Sequence, residues 1–371
     1  MKKMKNSKFL VTLFSVLLGL VIGAIILLIS GFNPIEAYWI MFTGIFGNIK
    51  YISWTIIRST PIIITGISVA FAFKTGLFNI GAEGQFIIGS LFAMMAGYLL
   101  NLPPVIHGLV AILVGALAAG IWAGIVGMLK AKFGVNEVIS SIMLNWIALY
   151  LNNYFLTFPL LRRPNSDASY KVLDSAKINV LGQWKASEAG QAVLSNNKFL
   201  RDLLNPPVNY GFILAILLAI LIWYILKNTT LGYQLKAVGY NKDAAEYGGI
   251  NIKKNIVVSM MIAGGLSGIA GATQVLGVEH QVGILAASQG YGFDGMAVSL
   301  IAGNSPLAAI PAGLLFSGLK YGGGKLNSTI QAPSEVISIV LGSIVFFVAM
   351  PKLFEMASSL LAKKKRGESV E

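Results

Sequence analysis

Apolar runs of about twenty residues recur along most of this chain, and a helix needs that length to cross roughly 30 Å of hydrocarbon. Lipid offers backbone N–H and C=O groups no partner, so such runs fold as helices that satisfy their own hydrogen bonds. The constraint is sharpest at Gly76-Leu-Phe-Asn-Ile-Gly-Ala-Glu-Gly-Gln85, a polar, glycine-broken stretch inside a run of spanning length. Irregular backbone survives at that depth only where protein buries it or water reaches it, and an ionisable residue there marks a functional place. Glu83, flanked by Asn79 and Gln85, therefore points to a translocation path.

Apolar residues make up 56% of the chain and charged residues 12%, about half the charged share of a soluble domain. The reading is an all-α polytopic membrane protein. A net charge of +13 would suit a nucleic-acid binder if the lysines shared one soluble face. Instead Lys2, Lys3, Lys5 and Lys8 precede the first apolar run, and Lys363, Lys364, Lys365 and Arg366 follow the last. Positive charge gathers on the cytoplasmic side, so both termini are expected there and the number of spans is even. The run Phe9–Ile29 is longer than the apolar part of a signal peptide and lacks a clear small-x-small cleavage site, so it reads as a retained span. With no cysteine, disulfides and thiolate metal sites are excluded.

Hydropathy predicts about ten helices, some of them broken, in a single transmembrane domain over 1–371. They are Phe9–Ser30, Tyr51–Phe73, Gly76–Leu100, Val105–Leu129, Val138–Leu160, Val208–Leu226, Ile256–Gly277, Gly283–Gly303, Leu307–Leu319 and Val336–Met350. Pro34–Phe46 is amphipathic, carries Tyr38 and Trp39, and is expected in the outer interface. Val105–Leu129 is rich in the small residues that allow close helix contact. Residues 161–207 form the only long polar segment and are placed outside despite seven Lys/Arg, because segments of that length translocate largely regardless of charge. Residues 227–255 form a charged cytoplasmic loop, and 361–371 a basic cytoplasmic tail. The second span with its broken follower is echoed by the seventh and Gly290-Tyr-Gly-Phe-Asp-Gly295, the pattern of an inverted repeat.

Depth bears on the carboxylates. Glu83 lies nine residues past Lys74, about 13 Å at 1.5 Å per residue, and Asp294 lies ten before Asn304, about 15 Å. Both fall near the midplane, so both should face the bundle interior. Asp294 could instead cap a helix starting at Gly295, and Asn79 could cap a half-helix through Glu83 and Gln85. At 100° per residue Asn145, Trp146, Asn152 and Asn153 share one face of the fifth span. Such amides and an aromatic could bond and stack on a flat polar solute, or serve as interhelical glue and an interfacial anchor. Phe293, beside Asp294, joins the expected path, whereas Arg58 reads as a snorkelling side chain.

The cytoplasmic loop carries the second strong signal. Asn241 is a predicted N-cap, 242–247 a short helix, and Gly248-Gly249 its stop. With Tyr240 and Tyr247 exposed and Ala244 and Ala245 small, it suits docking into a groove on a soluble partner. A solvated connector is the plainer alternative. A P-loop is absent: near Gly324-Lys325, Leu319 and Leu326 occupy positions that need glycine and a hydroxyl. His107 and His280 are the only histidines, and they form no helical metal pair and no nucleophile–His–acid set. No catalytic or metal-binding residues are expected.

Four ordered motifs remain: Phe78-Asn-Ile-Gly-Ala-Glu-Gly-Gln85, Gly134-Val-Asn-Glu-Val-Ile-Ser-Ser141, Ala237–Ile250 and Tyr291-Gly-Phe-Asp-Gly-Met-Ala-Val298. Together they resemble the permease subunits of bacterial ABC importers in the family for nucleosides, simple sugars and branched-chain amino acids. The first motif is most similar to the nucleoside branch. The resemblance implies a multi-pass protein of the bacterial plasma membrane that works in pairs, often with a second, different permease. It further implies a cytoplasmic ATPase holding ATP and magnesium, an extracytoplasmic binding lipoprotein, and no cofactor in this chain. Asn241, Ala244, Ala245 and Gly248 inherit the coupling-helix role, and 161–207 becomes the surface on which the binding protein would dock. Alternating-access uptake of purine nucleosides is the resulting expectation. A ribose-type sugar permease is the alternative within the family. An ion-coupled transporter using Glu83 and Asp294 is the alternative from another class, with a polytopic membrane enzyme third.

Overall fold

The computed structural model of the chain describes residues 17–349, with side chains to 347. The basic clusters at the two ends, and residues 361–371, expected to form a cytoplasmic tail, lie outside the described residues. In chain order the first helices are α1 (Leu17–Ile29), α2 (Pro34–Phe46), α3 (Ile49–Phe73), α4 (Ala82–Leu99), α5 (Ile106–Phe133) and α6 (Glu137–Phe155). Short helices α7 (Gly182–Ala186), α8 (Glu188–Asn196) and α9 (Lys198–Leu204) punctuate the long polar segment. Then come α10 (Gly211–Asn228), α11 (Thr230–Tyr240), α12 (Lys242–Tyr247), α13 (Ile252–Gln274), α14 (Tyr291–Ile301), α15 (Ala309–Ile330) and α16 (Ser334–Ala349). Among the described residues, β-structure is confined to isolated antiparallel bridges.

Among the described residues four helices are long and apolar enough to cross a membrane: α3, α5, α10 and Ile252–Glu279, in which α13 continues as a π-helical turn. Counting the bent pair α1 and α2 as one span gives five. Two of the remaining apolar runs are broken, for identifiable reasons. The run expected from Gly76 becomes helical only at Ala82, because Gly76 holds a left-handed φ of 72° and residues 77–79 are irregular. Gly283–Gly303 yields only the eleven residues of α14, since residues 280–290 are unwound apart from an isolated bridge. Conversely, the run expected to end at Leu319 continues as α15, unbroken through the glycine-rich residues 321–325 to Ile330.

The chain divides into a large compact unit, Ile52–Ser317, and a smaller one built from the sequence on either side of it. In the large unit α4, α5 and α13 pack as a trio at glycines. A Cβ on Gly89 would come 2.3 Å from Gly268 Cα, and one on Gly115 would come 2.7 Å from Gly89 O. Hydrogen side chains let these backbones nearly touch. On the other side of α5, Leu109, Leu113, Leu117 and Ile121 recur every four residues and are exposed. Such a stripe suits lipid. In the smaller unit Asn33 caps α2, Pro34 opens it, and the chain bends by 119° from α1 to α2.

Candidate translocation site

The broken segment is held by side chains at its own two ends. Asn79 and Gln85 exchange a pair of amide hydrogen bonds, each 2.9 Å, and both are buried. Asn79 therefore does not cap the helix that follows; Gly81 stands at that position with no side-chain bond. Asn145 staples the break from α6, accepting from Gly84 N at 2.8 Å and donating to Ile80 O at 3.0 Å. Gly84 must be glycine, because a Cβ there would lie 2.8 Å from Asn145 Cα.

Glu83 has no exposed surface. Its Oε1 accepts from Gly290 N and its Oε2 from Gly292 N, each at 2.7 Å. These amides open α14, and the first N–H groups of a helix have no partner within it. A carboxylate at a helix N-terminus also meets the favourable end of the macrodipole. The two half-helices thus meet start to start, with the α4 carboxylate closing the α14 terminus. A Cβ on Gly292 would fall 2.2 Å from Glu83 N, so glycine is what permits the approach. Tyr291 stacks on Phe86 with centroids 4.8 Å apart, and Thr65 Oγ1 lies 3.0 Å from Tyr291 O. Ser68, Ser267 and Asn79 continue this polar seam between α3 and α13. Thr65 and Ser68, three apart in an apolar run, are the mark that seam leaves in the sequence.

Asp294 does not begin a helix. α14 starts three residues earlier, and Asp294 stands half-buried in its first turn beside Phe293, which is 42% exposed. The amides of α6 grip the unwound stretch before α14: Asn152 Nδ2 donates to Gly283 O, and Asn153 bonds both ways with Leu285. Trp146 turns away from this network. It is 54% exposed and stacks on Tyr150 at 6.3 Å. Arg58 is exposed, its guanidinium over Trp54. The unwound stretch is also clamped by the polar segment, through Val172 N to His280 O, Ser169 N to Val282 O and Ile284 N to Asp167 O. Burial there, aided by Lys177, holds the His280 imidazole below the usual histidine range.

The second site is the helical loop. Asn241 Oδ1 accepts from Ala244 N at 3.0 Å, α12 runs Lys242–Tyr247, and Gly249 turns left-handed after it. Tyr240 and Tyr247 are 90% and 98% exposed. Between α11 and α12 lies a cleft of about 310 Å³ lined by Tyr233, Ala237, Tyr240, Asn241, Ala244, Ala245, Gly248 and Ile250. Ala245 is buried, so it builds the cleft and presents no surface. Gly239, at the end of α11, abuts the start of the broken segment: a Cβ there would meet Lys74 O at 2.2 Å and Gly76 N at 3.1 Å. Gly239 thus joins the residue before Tyr240 to the broken segment, which Glu83 in turn bonds to the start of α14.

Residues 48–349 match the family described as the branched-chain amino acid transport system / permease component. The chain is 39% identical to the guanosine ABC transporter permease protein NupP of Bacillus subtilis, over 96% of this chain and 98% of that protein. It is 35% identical to the nucleoside ABC transporter permease protein NupB of Lactococcus lactis, over 98% and 99% respectively. A glucose ABC transporter permease protein, TsgB13 of Haloferax volcanii, is 27% identical over 95% of this chain and 90% of its own length.

Proposed function

The chain belongs to the branched-chain amino acid transport system / permease component family, and on that premise we propose that it is the membrane subunit of an ATP-driven nucleoside importer. The observation that carries the substrate class is near-full-length similarity to relatives named for guanosine and nucleosides, at 39% and 35% identity, against 27% for the glucose permease. Purine nucleosides are the first substrates to try. In this reading the whole chain forms one permease domain of about ten crossings in the bacterial plasma membrane, with both termini cytoplasmic.

A cytoplasmic ATPase binds ATP and magnesium and receives α12 in its groove, with Tyr240, Asn241, Ala244, Tyr247 and Gly248 forming the contact and the buried Ala245 building the cleft behind it. A second permease completes the path, and a binding lipoprotein delivers solute to the segment 161–207. Dimerisation of the ATPase subunits moves α12. The Gly239–Gly76 contact passes that movement to the joint between α4 and α14, and the open side switches. Asn79, Glu83, Gln85, Asn145, Asn152 and Asp294 act in this reading as the framework and gate of the path. Trp146 and Phe293, which are exposed, are the side chains that meet solute. A carboxylate fixed by two backbone amides favours this gate over a titrating ion site.

Labelled-guanosine uptake by cells expressing the full transporter tests the reading. Uptake should stop when ATP is depleted with the proton gradient intact, and unlabelled nucleosides should compete where ribose and glucose do not. Uptake that outlasts ATP but collapses with the gradient would overturn it.

A further inference from the structure

The smaller unit carries a cleft that the transport reading leaves unused. Beside the turn from α2 to α3 lies a space of about 340 Å³ whose lining includes Thr43, Gly44, Asn48, Tyr51, Lys325 and Thr329. Gly44 is what admits the lysine: a Cβ there would come within 2.9 Å of Lys325 Cγ. The Lys325 ammonium then stands 4.4 Å from the Tyr51 ring centroid and 5.7 Å from that of Tyr321. Aromatic faces hold a cation in place without neutralising it. Among the described residues of this unit the bases are Lys50, Lys320 and Lys325 and the acids Glu36 and Glu335, and no carboxylate forms an ion pair with Lys325. Asn48 Oδ1 accepts from Lys50 N at 2.9 Å, which leaves the Asn48 amide nitrogen as a donor.

The helix that lines the cleft, α2, also carries an exposed face suited to acyl chains. Along α2 the side chains of Ile35, Trp39, Phe42 and Phe46 are 82%, 65%, 54% and 60% exposed. They follow helical spacing, and the three aromatic rings contact in sequence. An apolar aromatic face on a helix bent sharply from its neighbour suits a helix lying in the bilayer interface. Tyr51 sits in the first turn of α3, the end of a spanning helix at which tyrosines anchor in the headgroup layer.

We propose that this cleft binds the phosphate of an anionic phospholipid headgroup. Lys325 supplies the countercharge, the Asn48 amide a hydrogen bond, and the α2 row the acyl contact. The site is independent of which solute the protein carries.

The test uses the full-length chain, delipidated in detergent and titrated with phosphatidylglycerol under native mass spectrometry. The expected result is one saturable adduct, favoured over phosphatidylcholine, that excess inorganic phosphate does not displace. Lys325→Gln should weaken it about tenfold, the scale of one lost charge-assisted contact, whereas Lys325→Arg should retain it. Equal binding of the two lipids, or equal binding by wild type and Lys325→Gln, would overturn the proposal. So would displacement by inorganic phosphate, which would make the cleft a free-anion site, or cross-linking of Asn48→Cys to a second permease in membranes, which would make it a protein interface. If Lys325→Gln does not fold, the wild-type comparison of the two lipids decides alone.

Discussion

Each oxygen of Glu83 accepts a backbone N–H at the start of α14, and no part of the residue is exposed. An amide in its place would turn a donor toward one of those N–H groups and lose the negative charge at the helix terminus. Glu83→Gln should therefore cost about 1–3 kcal/mol of stability and abolish uptake. Thermal unfolding of the purified chain, read beside uptake in cells, checks both. An unshifted transition with normal transport would remove Glu83 from the joint. The residue was legible as special from its depth and its glycine neighbours. Its partner was not, because Gly290 lies 207 positions away.

Helix α12 follows directly from local signals: an Asn cap, six residues, and a left-handed glycine after the stop. Which of its side chains face outward is decided by packing against α11 and α13. Ala245 is only 5% exposed, so a bulky charge there would damage the chain's own cleft and could not report on a partner. Tyr247, at 98% exposure, is the discriminating position. Tyr247→Ala should change stability by no more than about 0.5 kcal/mol while lowering ATP-driven uptake severalfold. Full uptake in that variant, with normal membrane insertion, would exclude the ring from coupling. The unwound stretch before α14 was harder to foresee. Its residues are apolar enough to continue a span, and its backbone bonds go to Asn152, Asn153 and the polar segment, each more than a hundred residues away.

At the scale of the large unit, α4, α5 and α13 approach most closely where glycines leave hydrogen in place of a side chain. Gly89→Ala places a methyl 2.3 Å from Gly268 Cα, where no rotamer can relieve it. The backbones must separate, at a cost of about 1–3 kcal/mol or more. Leu113→Ala, on the exposed stripe of α5, should cost far less, and paired unfolding measurements in one detergent compare them. A similar cost for both would mean the glycine crossing does not organise the core. Small residues in the α5 run announced close contact, but not with which helices.

The sequence by itself determined the helical membrane class, the break at Gly76–Gln85 and the cap-to-stop bounds of α12, because each follows from groups within a few residues of one another. Run length, glycine freedom and side-chain capping act locally and leave their mark in order along the chain. Only the tertiary structure decided that the α4 carboxylate closes the start of α14, that Asn79 pairs with Gln85 instead of capping a helix, and that Asn145 staples the break. Those choices depend on which buried polar groups meet when the helices pack. In an interior without water each must find a partner, wherever in the chain it lies.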